Sequence, residues 1–141
     1  MSIQITEANR NHAEAIVSLL TQLGYTDSIT AVEYRIEMHQ QPGYKIFVAT
    51  NQTVVGFIAI MIYQNLHISG SIGRITAFCV DEQQRGKGIG TQLLRCAESF
   101  LKSEACYKVE LTSNNRRTES HVFYSHQGYE QTSQHFVKRL D

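Results

Sequence analysis

Apolar residues follow two different periods along the chain, and these periods predict where helices and strands lie. A spacing of three or four residues, typical of a helix with one buried face, occurs in four stretches. These predicted helices cover residues 13–23, 29–39, 88–101 and 119–127. Alternating or continuous apolar runs rich in β-formers predict six strands. They cover residues 3–5, 44–49, 54–63, 72–80, 107–111 and His135 to Leu140.

The resulting order, β-α-α-β-β-β-α-β-α-β, defines an α/β chain with a mixed, mostly antiparallel central sheet flanked by helices. Gly24 and Gly128 stand where the first and fourth helices should end. Short polar turns join the three middle strands, which predicts an antiparallel meander. This arrangement differs from the regular strand–helix alternation of a nucleotide-binding sheet.

Length and composition predict one globular domain over residues 1–141. Hydrophobic residues make up 42% of the chain and charged residues 18%, enough apolar material for a core. The thirteen basic and thirteen acidic residues balance, and without a basic excess we expect no nucleic-acid partner. The longest apolar run, Val54 to Tyr63, is half a membrane span, and no signal-like segment precedes it. We therefore expect a soluble, cytoplasmic protein with no membrane partner.

The cysteines and histidines do not form a recognisable reactive or metal-binding pattern. Cys79, Cys96 and Cys106 are an odd number, lack a C-x-x-C pair and have apolar neighbours, which predicts reduced, buried thiols. A catalytic cysteine is less well supported, because no Cys/His/Asn signature surrounds any of them. His121 and His126 lie five residues apart rather than the four that place two imidazoles on one helix face. No metal is expected.

The sharpest local signal is the loop Arg85-Gly86-Lys87-Gly88-Ile89-Gly90, between a strand ending at Val80 and a helix beginning near Gly88. Glycines allow a ligand to approach the backbone closely, and the first N–H groups of a helix point outward at the positive end of its dipole. Phosphate oxygens bind at such a place, and two cations would suit adjacent phosphates. The loop therefore predicts a pyrophosphate ligand.

Two other interpretations of the loop remain open. It could be a plain glycine turn, although three glycines and two cations in six residues exceed what a turn requires. It could belong to a dinucleotide fold, since Glu110 lies twenty residues past Gly90, where a ribose-binding acid would be sought. A dinucleotide fold requires the sequence G-x-G-x-x-G early in a parallel strand–helix–strand unit. The three glycines of this loop are instead two residues apart, and they follow an antiparallel meander.

Two motifs and the element order resemble the GNAT superfamily of acyl-CoA-dependent N-acetyltransferases. Arg85 to Gly90 matches that family's R/Q-x-x-G-x-G/A loop, and Gln83 to Gly88 satisfies the same pattern one step earlier. Phe123-Tyr124 followed by Gly128-Tyr129 resembles its C-terminal F-Y-x-x-x-G-F/Y signature. A narrower similarity is to the C-terminal part of bacterial aminoalkylphosphonate N-acetyltransferases. It rests on Glu110-Leu111-Thr112-Ser113-Asn114 with Arg117, Glu119, His121, Phe123 and Tyr124.

The resemblance implies a GNAT-like fold and acetyl-CoA as cosubstrate, and it suggests which residues bind that molecule. Backbone N–H groups of Phe78, Cys79 and Val80 would stabilise the oxyanion, since a strand edge offers fixed donors. Asn114 is a weaker candidate for cofactor contact, because Arg117 stands where the family commonly has an asparagine. The implied cofactor-binding set is completed by the loop residues Arg85, Gly86, Lys87, Gly88, Ile89, Gly90 and Thr91.

Tyr124 and Glu110 are the implied catalytic residues. Tyr124 would protonate the departing thiolate, which a phenol with a pKa near ~10 can do; alternatively it packs on its helix face. Glu110 alternates with two apolar neighbours, so its carboxylate lies on the opposite face and could act as general base. The alternatives are an ion pair with Arg116, Arg117 or Lys108, and a water wire that includes His121. Many relatives have a further glutamate on the fourth strand, where this chain has Thr76-Ala77.

The predicted function is transfer of an acetyl group from acetyl-CoA to a primary amine, by direct attack in a ternary complex. The expected partner is a small-molecule amine, for example an aminoalkylphosphonate, whose anionic group Arg35, Lys45 or Arg74 could hold. The alternatives are acetylation of a protein N-terminus or lysine, and a non-catalytic acyl-CoA sensor. Relatives are often dimers, so a homodimer formed through the edge of the last strand is a further expectation.

Overall fold

A computed structural model describes residues 2–113, 118–132 and 135–141. It divides into two compact units, Met1–Glu110 and Leu111–Asp141. The strands are β1 (Gln4–Glu7), β2 (Tyr44–Asn51), β3 (Thr53–Gln64), β4 (Ser71–Val80) and β5 (Cys106–Leu111). The helices are α1 (Ala13–Leu23), α2 (Ile29–Met38), α3 (Ile89–Ser103) and α4 (Thr118–His126).

The sheet of the first unit has the spatial order β1-β2-β3-β4-β5, and its first four strands pair antiparallel. Gln52 makes the tight turn between β2 and β3 with a positive φ of 64°. The predicted antiparallel meander is confirmed, and so is the mixed α/β class. Among the described residues, no helix is both long and apolar enough to cross a membrane.

Local signals explain where α1 and α2 begin and end. Gly24 closes α1 in the left-handed region, with φ of 97°, and its N–H bonds back to carbonyls of the last turn. Ser28 caps α2 by accepting a hydrogen bond from the N–H of Ala31 at 3.1 Å. Both predicted helices therefore lie within one residue of their expected ends.

The two faces of the sheet are covered by different helices. On one face α3 buries an apolar stripe that includes Leu93 and Leu101. It packs so closely that a Cβ on Gly73 would lie 2.5 Å from the Leu101 side chain, so a larger residue there would force Leu101 to move. On the other face, Phe57 and Cys79 form one core cluster with apolar residues of α1 and α2 such as Ile16. Consecutive residues of β3 and β4 thus point to opposite helical layers.

The second unit contains α4 and the segment that follows it. Gly128 has a φ of +90° and follows the last helical turn, as predicted. The predicted strand from His135 to Leu140 is wrong, because these residues have no strand structure and are exposed. Phe136 and Val137 are 88% and 74% exposed. With both side chains exposed, burial does not supply the packing that favours β-formers in a strand.

Candidate active site

The glycine loop leads from the end of β4 directly into the N-terminus of α3. One turn of 3-10 helix, Glu82–Gln84, follows β4, and Gly88 is the residue that precedes the first turn of α3. Gly86 and Gly88 have φ angles of 81° and 80°, values that L side chains rarely adopt. A Cβ on either would meet nothing within 4 Å, so the outer surface of the loop is open. This geometry fits a phosphate group, which would lie where those side chains are missing.

Two cations border the open surface. Arg85 and Lys87 are both exposed, and neither forms an ion pair with an acidic residue in the part of the chain that the structure describes. The Arg85 side chain donates from Nε to the carbonyl oxygen of Val80 at 3.3 Å. Lys87 donates from Nζ to Oε1 of Gln84 at 3.0 Å. The loop therefore carries positive charge that an anionic ligand can use.

Gln22, in the last turn of α1, anchors the start of this loop and was missed by the sequence analysis. Its Oε1 accepts a hydrogen bond from the N–H of Glu82 at 3.0 Å, and its Nε2 donates to the Asp81 carboxylate at 3.3 Å. The N–H of Asp81 donates to the carbonyl of Val55 at 2.8 Å. The loop is thus held between α1 and β3 before its glycines begin.

The end of β4 directs two backbone N–H groups away from β3. Asp81 donates to Val55, and Cys79 lies opposite Phe57, so these alternate positions bond to β3. Phe78 and Val80 consequently direct their N–H groups toward the other edge of β4, where β5 is the neighbour. This is the orientation required of an oxyanion donor on this strand.

A bulge interrupts β4 at Thr76. Ala59 pairs with Ala77 and Ile60 pairs with Ile75, which leaves Thr76 as the extra residue, and its Oγ1 donates to the carbonyl of Ala59 at 3.2 Å. A bulge bends the strand and re-aims the residues on either side. Thr76 and Ala77 stand where the resemblance leads one to look for a glutamate, and the Thr76 side chain is exposed.

Glu110 of β5 lies in a cluster with two residues of the neighbouring strands. Its Oε1 accepts a hydrogen bond from the phenol O–H of Tyr63 and another from Nη1 of Arg74 at 3.2 Å. The Arg74 side chain is 29% exposed and the Glu110 side chain is 31% exposed. The ion pair proposed for Glu110 therefore exists, but with Arg74 rather than with Lys108. Arg116 and Arg117, the other expected partners, lie outside the described residues.

Strand register explains why Tyr63 and Arg74 meet. Tyr63 pairs with Ile72 and Met61 pairs with Arg74, so Tyr63 and Arg74 are diagonal neighbours on one face. Gly73 faces α3, so this is the opposite face of the sheet. The hydrogen bond to Glu110, the partial burial of the ring and the negative charge of Glu110 raise the pKa of Tyr63 to about 12.

Tyr124 belongs to the second unit, where it lies in α4. Its ring makes edge contacts with Phe123, with 5.5 Å between ring centroids, and with Tyr129 at 5.8 Å. Its backbone carbonyl accepts the N–H of Tyr129, which closes the turn at Gly128. The three aromatic residues of the C-terminal signature are thus joined through the Tyr124 ring. The role of Tyr124 in proton transfer remains a prediction, and Asn114 lies outside the described residues.

Two of the three cations expected to hold an anionic acceptor are already paired with surface acids. Arg35 lies 2.5 Å from the Asp27 carboxylate, and Lys45 lies 3.2 Å from that of Glu7. The exposed Arg35–Asp27 pair contributes little to stability, whereas the Lys45 side chain is only 23% exposed. Arg74 differs because it stands beside Glu110 in the half-buried cluster.

The thiols are consistent with the expected reduced state. Within the described chain none of the three forms a disulfide. Cys79 is buried, and its Sγ lies 3.5 Å from the carbonyl of Leu19. Burial raises the pKa of Cys96, and burial together with the charge of Glu104 raises that of Cys106. Raised thiol pKa values disfavour the thiolate that a nucleophile needs. Among the described residues, no three metal-ligating side chains come together.

The fold and the glycine loop define an acetyltransferase-like architecture, and comparison with known families agrees. A model of the acetyltransferase (GNAT) family matches residues 13–129, so the chain belongs to this family.

Two individual N-acetyltransferases are similar to this chain, one in sequence and one in structure. The aminoalkylphosphonate N-acetyltransferase of Salmonella typhimurium is 37% identical over 90 residues, which cover 64% of this chain and 58% of the relative. The match thus spans less than two thirds of the relative's length. The glucosamine-6-phosphate N-acetyltransferase of Arabidopsis thaliana superposes with a TM-score of 0.87 and 25% identity over 100% of both chains.

A third comparison concerns the fold alone. An aminoglycoside N-acetyltransferase in complex with CoA has a TM-score of 0.86 and 21% identity, covering 98% of this chain and 94% of that one.

Proposed function

We propose that the protein transfers the acetyl group of acetyl-CoA to the primary amine of a small molecule. The observation that carries the proposal is the open glycine loop at the N-terminus of α3, where Gly86 and Gly88 take left-handed conformations with no atom within 4 Å of a Cβ. Arg85 and Lys87 beside it supply charge for two phosphates. Membership of the GNAT family supports acetyl-CoA as the donor.

Several residues of this chain would each perform one part of the reaction. Acetyl-CoA supplies an activated acyl group as a thioester. The N–H groups of Phe78 and Val80 would stabilise negative charge on the acyl oxygen. Glu110 would take one proton from the acceptor ammonium, so that the neutral amine can form the C–N bond as the C–S bond breaks. Tyr124 would protonate the departing thiolate. The second nitrogen proton, lost as the amide forms, would reprotonate Tyr124 through water, and Glu110 would release its proton to solvent, so that both residues return to their starting states.

We further propose an acceptor that carries an anionic group near its amine, such as an aminoalkylphosphonate. The matched Salmonella relative is an aminoalkylphosphonate N-acetyltransferase, and Arg74 lies 3.2 Å from Oε1 of Glu110. A cation beside the proposed base would hold the anion while the ammonium faces the carboxylate. Short zwitterionic amines suit this pair better than simple alkylamines.

A panel of amines, assayed by release of free thiol from acetyl-CoA, tests the proposal. Short aminoalkylphosphonates should give the highest kcat/KM, ahead of matched alkylamines and of peptides with a free N-terminus or lysine. Including a chelator in a parallel series shows whether a divalent ion assists. Turnover restricted to peptides would favour a protein acetyltransferase. Binding of acetyl-CoA without turnover on any amine would favour a sensor.

The same assay tests Tyr124. The Tyr124→Phe variant should have a kcat about ten-fold lower, because a thiolate whose acid has a pKa near ~8.5 leaves with moderate help from an acid. Its Kd for acetyl-CoA should stay within two-fold of wild type. An unchanged kcat would remove Tyr124 as the acid.

A further inference from the structure

We propose that Tyr63 is a positioning residue for acetyl transfer, whose phenol O–H holds one oxygen of Glu110 so that the other faces the acceptor amine. The inference rests on the proposed function, in which Glu110 is the general base. It concerns a residue on β3, far in sequence from both family motifs.

The hydrogen-bond pattern around Glu110 carries the inference. Tyr63 and Arg74 both donate to Oε1. From the residues that the structure describes, Oε2 receives no hydrogen bond. A carboxylate fixed through one oxygen keeps its second oxygen available and oriented for proton transfer. A carboxylate with neither donor would rotate freely about its side chain and lose that orientation.

The proton that moves is accounted for within the cluster. Oε2 of Glu110 takes one proton from the acceptor ammonium, and the nitrogen lone pair so released forms the new C–N bond. Tyr63 keeps its own proton throughout, since it donates the same hydrogen bond before and after the transfer. It therefore acts through Glu110 and not on the substrate.

The chemistry of the phenol supports a donor that is permanently protonated. The hydrogen bond to Glu110 and the partial burial of the ring raise the pKa of Tyr63 to about 12. The charged groups facing the phenol are Glu110 and Arg74, and Tyr107 of β5 is a further titratable neighbour. Because the pKa in the folded protein lies above the ordinary value of 10.0, the hydrogen bond is fully present below pH 10 and is lost as the pH rises toward 12.

The test is a double-mutant cycle on steady-state kinetics. Tyr63→Phe should lower kcat about ten-fold at pH 7 and leave KM for acetyl-CoA within two-fold, since the loop is untouched. In a Glu110→Gln background the same substitution should change kcat less than two-fold, because the base it positions is gone. Tyr44→Phe, another half-exposed tyrosine of the same sheet, is the matched control and should leave kcat unchanged.

A pH series separates positioning from a merely structural role. The ratio of wild-type to Tyr63→Phe kcat should fall toward one as the pH rises from 7 to 10, in parallel with the ratio for Glu110→Gln, because free amine needs no base. The phenol keeps its proton over that range, so its own titration does not contribute to the change. A Tyr63→Phe ratio that stays constant while the Glu110→Gln ratio narrows contradicts the inference. So does an unchanged kcat in Tyr63→Phe, or an equal loss in both backgrounds. A wild type that acetylates no amine overturns the proposed function and the inference with it, whereas an active wild type with an unaffected variant overturns the inference alone.

Discussion

The Gly88→Asp variant is expected to bind acetyl-CoA at least 100-fold more weakly than wild type. The new carboxylate would lie where the pyrophosphate is expected, at the N-terminus of α3. Two like charges about 4 Å apart repel by several kcal/mol at an effective dielectric of about 20, and a 100-fold loss needs only about 2.7 kcal/mol. Titration calorimetry with acetyl-CoA at low and high salt measures the effect, which should shrink as salt screens the charges.

Gly88→Asn is the matched control for this experiment. Asparagine has the same size as aspartate and accepts a positive φ about as well, so it imposes the same backbone cost without the charge. It should weaken binding about ten-fold or less. Both variants should melt a few degrees below wild type and by the same amount, because the positive φ strains either side chain equally although neither meets an atom within 4 Å. Equal affinity of Gly88→Asp and wild type would refute the pyrophosphate assignment.

The Glu110→Gln variant should lose about 100-fold in kcat at pH 7. A primary amine with a pKa near ~10.4 is neutral in only about one molecule in a few thousand at that pH, so removal of the base stalls the reaction. The difference in kcat between Glu110→Gln and wild type should narrow as the pH rises toward 10, because free amine becomes abundant there. A full pH–rate profile with the best amine of the panel measures both effects.

Glu7→Gln is the matched control for the loss of a paired carboxylate. Glu7 pairs with Lys45 at 3.2 Å on the surface, as Glu110 pairs with Arg74 in its cluster. Its substitution should change kcat less than two-fold. A Glu110→Gln profile that coincides with wild type at every pH would reassign the base, with His121 as the next candidate.

Local signals were sufficient to predict most of the fold. Helix α1 was predictable because residues such as Ile16 and Leu19 recur at helical spacing and Gly24 supplies the left-handed stop. The segment from His135 to Leu140 shows where such signals fail. It is rich in β-formers, but a strand forms only where a neighbouring strand accepts its hydrogen bonds and one face is buried.

The candidate site was predictable only in part, and the reason is sequence separation. The glycine loop is contiguous, so its residue types and spacing already indicate a phosphate site. The partners of Glu110 are not local: Tyr63 and Arg74 lie 47 and 36 residues away. Their meeting depends on the register of β3 against β4 and on the position of β5 beside β4, which no single-strand pattern contains. Gln22 was missed for the same reason, since it anchors a loop about 60 residues away.

A crystal structure of the protein grown with CoA tests the central claim most directly. The account predicts pyrophosphate oxygens about 3 Å from backbone nitrogens of residues 86–90, at hydrogen-bonding distance. Two results would contradict the account. One is density for the pyrophosphate elsewhere on the molecule. The other is a crystal in which CoA has not bound and side chains of the protein itself fill the surface of the loop.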